Sequence, residues 1–84
     1  MKYSLFIKPS AKKELLSLPK QLLRKIDPII LSLQHTPRTF KTVKLEGYNF
    51  YRVRVGDYRV IYSIDDKNSK VEILKIGHRR EIYR

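Results

Sequence analysis

The sequence predicts an α+β fold: an N-terminal strand, two helices, then a C-terminal antiparallel β-meander, with the helices packed on one face of the sheet. Three observations carry it. A short β-branched and aromatic run opens the chain, and apolar residues then recur at three- and four-residue spacing between residues 11 and 33. From residue 41 onward the apolar repeat changes to two. With 84 residues there is material for one core, so a single domain over 1–84 is expected. No repeat, linker or low-complexity segment interrupts it.

Tyr3 to Ile7 reads as the first strand, stopped by Pro9. Ser10 is a candidate N-cap, because a serine hydroxyl can accept from the free amides of a first helical turn. Ala11, Leu15 and Leu18 then share one helical face until Pro19 breaks it. The second helix begins near Lys20. Leu22, Leu23, Ile26, Ile29, Ile30 and Leu33 form its apolar stripe, with Lys20, Arg24, Lys25 and Gln34 outside. Pro28 lies within that helix and has no N–H to donate. Since the stripe continues in phase across it, a kink near Pro28 is expected. Thr36-Pro37 closes the helical half, and residues 38–44 form a basic connector. Strands are then predicted at Lys41–Leu45, Phe50–Val55, Tyr58–Ile64 and from Val71 to about Gly77. Turns are expected at Glu46-Gly47 and at Asp65–Ser69.

Charge narrows the function. Nineteen Lys and Arg against eight Asp and Glu leave a net charge of +11, which attracts polyanions such as nucleic acid or an acidic protein. A membrane surface fits poorly, because no helix combines a basic face with a strongly amphipathic exposed apolar face. No apolar run approaches the ~18–20 residues of a membrane span, and the N-terminus alternates charged with apolar residues, so a cytoplasmic location is expected. Cysteine is absent, which removes disulfides, thiolate nucleophiles and thiolate metal sites. No cofactor or metal is expected.

The most informative stretch is Tyr51-Arg52-Val53-Arg54-Val55-Gly56-Asp57-Tyr58-Arg59-Val60-Ile61-Tyr62. Gly56-Asp57 has the Gly-X form of a type II′ hairpin turn. Such a turn places Arg54 opposite Arg59 and Arg52 opposite Ile61. One face of the hairpin then carries Tyr51, Val53, Val55, Tyr58, Val60, Tyr62 and Ile64, and lies on the helices. The other carries Phe50, Arg52, Arg54, Arg59, Ile61 and Ser63. Three arginines on one exposed face, two directly opposed, is destabilising for folding. The alternative is a solvated basic face with carboxylates brought in from elsewhere, Glu72 being the obvious one. Arginine suits phosphate because its planar fork binds oxygens bidentately and stays charged. The tail Ile76-Gly77-His78-Arg79-Arg80-Glu81-Ile82-Tyr83-Arg84 adds more cations and places the imidazole of His78 beside them. Lys41, Lys44, Arg80 and Arg84 are candidate RNA contacts. His35, at a helix end, is taken as structural.

Lys44-Leu45-Glu46-Gly47, the run Tyr51 to Tyr62, and Ile76-Gly77-His78-Arg79 with Tyr83 behind it resemble the RelE toxins of the RelE/ParE superfamily. The likeness spans nearly the whole chain. It implies a type II toxin–antitoxin toxin: a ribosome-dependent endonuclease that cuts mRNA in the A site. It also implies a cognate acidic antitoxin wrapping the basic face, with operator DNA bound only through the antitoxin complex. By that resemblance Arg52, Arg54, Arg59 and Arg79 make the active surface and Tyr83 stands for a C-terminal tyrosine. Some relatives carry lysine at the positions of Arg52 and Arg54. The Arg79–Tyr83 spacing is also shorter than in some, and the sequence stops at Arg84 before the C-terminal helix some members have.

RNA carries its own nucleophile, the ribose 2′-hydroxyl. Cleavage needs in-line geometry, a base, charge stabilisation at the phosphate and an acid for the 5′-oxygen. The arginines can supply charge but not act as the base, which leaves His78 and Tyr83 for proton transfer. The expected reaction is metal-independent and leaves a 2′,3′-cyclic phosphate. The alternatives are a ParE-like gyrase inhibitor and an inactive basic binding module on the same fold.

Overall fold

The computed structural model describes residues 2–38, 42–45 and 50–78. Its elements are β1 (Ser4–Ile7), α1 (Pro9–Leu16), α2 (Lys20–Ser32), β2 (Thr42–Lys44), β3 (Phe50–Val55), β4 (Tyr58–Asp65) and β5 (Lys70–His78). They form the α+β architecture predicted, with a five-stranded sheet in the order β1-β5-β4-β3-β2. β2 to β5 make the antiparallel meander. β1 joins it at the far edge, parallel to β5, with Leu5 beside Val71 and Ile7 beside Ile73. The predicted turn at Glu46-Gly47 lies outside the described residues.

The start of α1 differs from expectation. Pro9 is the first helical residue, Lys8 stands at the N-cap position, and no side chain caps the turn. Ser10 is therefore inside the helix. The reason is steric: a proline has φ already set for a helix and lacks an N–H that would be orphaned there anyway, so it starts the helix rather than merely ending the strand. α2 runs through Pro28 as one uninterrupted element of 13 residues. It does so without the bond that residue 28 would give to the Arg24 carbonyl.

The core joins the predicted helix stripes and hairpin face to three β5 residues, Val71, Ile73 and Ile76, that were not singled out from the sequence. Ala11 and Leu15 of α1, and Ile26, Ile30 and Leu33 of α2 and its C-cap, pack on Val53, Val55, Val60, Tyr62, Val71, Ile73 and Ile76. Beneath the exit of α2 a polar cluster ties Pro37, Arg38 and Thr42 to the sheet and its turn. Tyr62, fully buried, donates to the Pro37 carbonyl at 2.7 Å and lies 2.8 Å from the Thr42 hydroxyl. Burial pushes its phenol up, against the Thr42 hydrogen bond. Tyr51 stacks on it at 6.0 Å. Arg38 forms two bonds with Asp66, at 3.0 and 2.8 Å, and Tyr3 donates to the same carboxylate at 2.7 Å. Those bonds, Arg38 first, hold the Asp66 carboxyl at about 2. Its folded-state value is depressed, so the stabilisation it brings is complete above pH ~4 and fades as pH falls toward 2.

Tyr62→Phe tests this cluster. It strands a buried carbonyl and removes the acceptor nearest Thr42, with an expected cost of about 1 kcal/mol and a Tm lower by about 4–8 °C. Thermal unfolding followed by circular dichroism measures it, and an unchanged Tm would mean that the hydroxyl is idle.

Candidate nucleic-acid interface

The hairpin between β3 and β4 has the predicted register. Val55 pairs with Tyr58, Arg54 with Arg59, Val53 with Val60 and Arg52 with Ile61. Gly56 has φ +59° and Asp57 is not in the positive-φ region, the pattern of a type II′ turn. A Cβ at Gly56 would meet nothing within 4 Å, so the glycine is required by its backbone angle alone. Gly56→Ala should therefore cost about 1 kcal/mol, read as a lower urea midpoint.

Alternation from these pairs puts Phe50, Arg52, Arg54, Arg59 and Ile61 on the face away from the helices. Arg54 is exposed. Arg59 is not: only 6% of its surface reaches solvent, which corrects the expectation of three exposed arginines. Its neighbour on β5 is Gly77, which presents no side chain and leaves room for a long one. The Arg59 Nη1 donates to the carbonyls of Gly56 at 3.5 Å and Tyr58 at 3.3 Å. Its Nε is buried without a hydrogen-bond partner among the described residues. The Arg54 Nε donates to the same Gly56 oxygen at 3.4 Å. Sharing that acceptor keeps the two nitrogens within about 7 Å, where two unit charges repel by about 2–3 kcal/mol at an effective dielectric of ~20. Among the described residues no carboxylate forms an ion pair with Arg54 or Arg59; the pair found is Arg38 with Asp66. Glu72, the nominated partner, sits four residues along the ladder, beside Ser63 and Phe6.

The β4–β5 ladder decides which other predicted residues join this face. Ile61 pairs with Lys75 but Tyr62 with Ile73, so Leu74 is an extra, bulged residue. A bulge shifts phase by one and exchanges the faces of everything beyond it. It therefore brings Gly77 opposite Arg59 and turns His78 to the helix side, opposite Tyr58. The two rings meet edge to face at 5.5 Å. Lys44 likewise pairs with Tyr51 and lies on the side away from the arginines. Arg52, Arg54 and Arg59 are thus brought together, and His78 and Lys44 are not. Lys41, Arg79, Arg80, Tyr83 and Arg84 lie outside the described residues. Beside the arginines runs an apolar groove of about 400 Å³ lined by Lys8, Leu45, Phe50, Ile61, Leu74 and Lys75. Val43 and Phe6, 47% and 50% exposed, extend the apolar character of this face. Among the described residues no three His, Cys, Asp or Glu side chains cluster as metal ligands, and no helix is long and apolar enough to cross a membrane.

Sequence reasoning missed Glu14. Its Oε1 accepts the Ile76 N–H at 3.2 Å, next to the residue that faces Arg59. The only available signal was a carboxylate bordering the apolar face of α1 in a chain with few acids.

Known proteins share both sequence and fold. The profile of the ParE toxin of type II toxin–antitoxin systems (parDE) matches residues 5–83. Toxin RelG of Mycobacterium tuberculosis (strain ATCC 25618 / H37Rv) is 33% identical over 86 residues, which span 100% of this chain and 99% of that protein. The crystal structure of the archaeal RelE–RelB complex from Pyrococcus horikoshii OT3 matches with a TM-score of 0.82 at 38% identity, over 96% of this chain and 99% of that one. The toxin–antitoxin complex RelBE2 from Mycobacterium tuberculosis gives a TM-score of 0.82 at 28% identity, over 94% and 100%. With a matching profile along nearly its whole length and a relative of this identity, the chain belongs to the RelE/ParE family of type II toxin–antitoxin toxins.

Proposed function

We propose that this toxin is an mRNA endoribonuclease that acts on ribosome-held message in the cytoplasm, its single domain over 1–84 carrying the whole activity. One observation carries the reading: Arg54 and Arg59 are held against each other on one face with no neutralising carboxylate among the described residues. Such an arrangement is costly in the free protein and is relieved when an anion binds. A phosphodiester is the anion that fits two guanidinium forks. Arg52, Arg54, Arg59 and Arg79 would stabilise the phosphorane-like charge. The 2′-oxygen forms its bond to phosphorus as the P–O5′ bond breaks, giving a 2′,3′-cyclic phosphate and a 5′-hydroxyl without a metal. One proton leaves the 2′-hydroxyl and one reaches the 5′-oxygen. With His78 turned toward Tyr58, the proton-transfer role among the named residues passes to Tyr83, which lies between Arg80 and Arg84 in the sequence.

The weak acid–base set explains the dependence on ribosomes, which would supply the in-line geometry. A cognate acidic antitoxin would cover the arginines and the groove beside them, and operator DNA would be reached only through that complex. The reading is tested by adding the protein to a translation reaction and mapping mRNA ends by primer extension. Breaks confined to A-site codons support it. Uncut message would remove it. The ParE profile match favours one second reading, gyrase inhibition, which loss of supercoiling activity in a purified gyrase assay would reveal.

A further inference from the structure

β5 outruns its neighbour. β1 ends at Ile7, opposite Ile73, and the Lys8 N–H closes that ladder on the Ile73 carbonyl at 2.9 Å. β5 continues to His78. On one side its last residues pair with β4, Ile76 with Val60, Gly77 with Arg59 and His78 with Tyr58. On the other side no strand among the described residues is left to accept the Ile76 N–H, and Ile76 itself is buried. An unmet donor at such a place is disfavoured.

Glu14 meets it. α1 turns Ala11 and Leu15 into the core, so residue 14, three after Ala11, borders the buried face. Its carboxylate takes the place of the missing strand, with Oε1 3.2 Å from the Ile76 nitrogen. The next residue, Gly77, is the one that pairs with Arg59 across the ladder. We propose that Glu14 is a positioning residue for the arginine site: by holding the β5 backbone at Ile76 it fixes Gly77, and through Gly77 the place of the Arg59 guanidinium. This rests on the nuclease reading above. It assigns Glu14 no contact with RNA and no proton to transfer.

The test compares Glu14→Gln, which keeps an acceptor oxygen, with Glu14→Ala, which does not. Single-turnover cleavage on programmed ribosomes is measured over a range of toxin concentrations, together with amide hydrogen exchange at Ile76 and Gly77 and the Tm. A misplacement on the order of 1 Å costs up to about 10²-fold in rate. Glu14→Ala should therefore lower the saturating rate about tenfold or more, with half-saturating concentration within about twofold. Exchange at Ile76 and Gly77 should accelerate about tenfold or more, whereas Glu14→Gln should stay within about twofold of wild type in both readouts. Wild-type rate and exchange in Glu14→Ala would overturn the proposal. So would a parallel loss of rate, affinity and Tm that Glu14→Gln fails to rescue, since that describes mere scaffolding. If the wild-type protein cuts nothing, the nuclease reading falls by itself, and the exchange measurement alone decides whether Glu14 holds the end of β5.

Discussion

Arg59→Ala should reduce A-site cleavage by about 10²–10³-fold, the usual cost of deleting one preorganised group that stabilises transition-state charge, and should leave the protein at least as stable as wild type. The two halves of this expectation have one cause. Arg59 is held at 6% exposure, and among the described residues its Nε lacks a partner and its Nη1 reaches only long contacts to two carbonyls. A buried cation so poorly compensated costs free energy in the resting protein. Its opposition to Arg54 adds to that cost. Removing the charge relieves both penalties, and removes the donor an RNA phosphate would meet in a low-dielectric setting. Primer extension on programmed ribosomes gives the rate, and thermal unfolding gives the stability. Full cleavage would take the hairpin out of the mechanism. Lost cleavage with a collapsed Tm would make Arg59 a structural residue instead.

Pro28→Ala should raise stability by about 2 kcal/mol, roughly 10 °C in Tm for a chain of this size. A proline inside a helix costs about 3 kcal/mol relative to alanine, and about 0.4–1 kcal/mol of that is returned because proline also restricts the unfolded chain. Pro28 is solvent-exposed and interior to α2, so alanine creates no cavity and restores the bond to the Arg24 carbonyl. Ile26 and Ile30, buried on either side of it, keep their places. Urea unfolding with an unchanged slope is the measurement. A neutral or destabilising result would mean that the core is fitted to a helix that lacks this bond.

The hairpin was legible because every determinant is local: Gly56-Asp57 fixes the turn, and a repeat of two fixes the faces. The helices were legible from apolar spacing, apart from the first turn of α1, where Pro9 outcompetes Ser10. The position of β1 was not, since pairing with β5 joins opposite ends of the chain and leaves no local mark. The site was half legible. Reading along the chain groups His78 with the arginines, and a regular ladder would have agreed, but the extra residue at Leu74 reverses the faces of everything after it. Arg59 meets Gly77 across the same shifted ladder. Bulges follow from packing of the whole sheet, which no single segment reports.

The parallel pairing of β1 with β5 also bears on how such a protein is made. Leu5 can meet Val71 only after residue 71 has been synthesised, and contacts of that separation form late. Gly77, which flanks Arg59, arrives later still. The arginine face is thus assembled in two stages: the β3–β4 hairpin can form as soon as its own residues are made, while the β5 edge that pairs with Arg59 joins it afterwards.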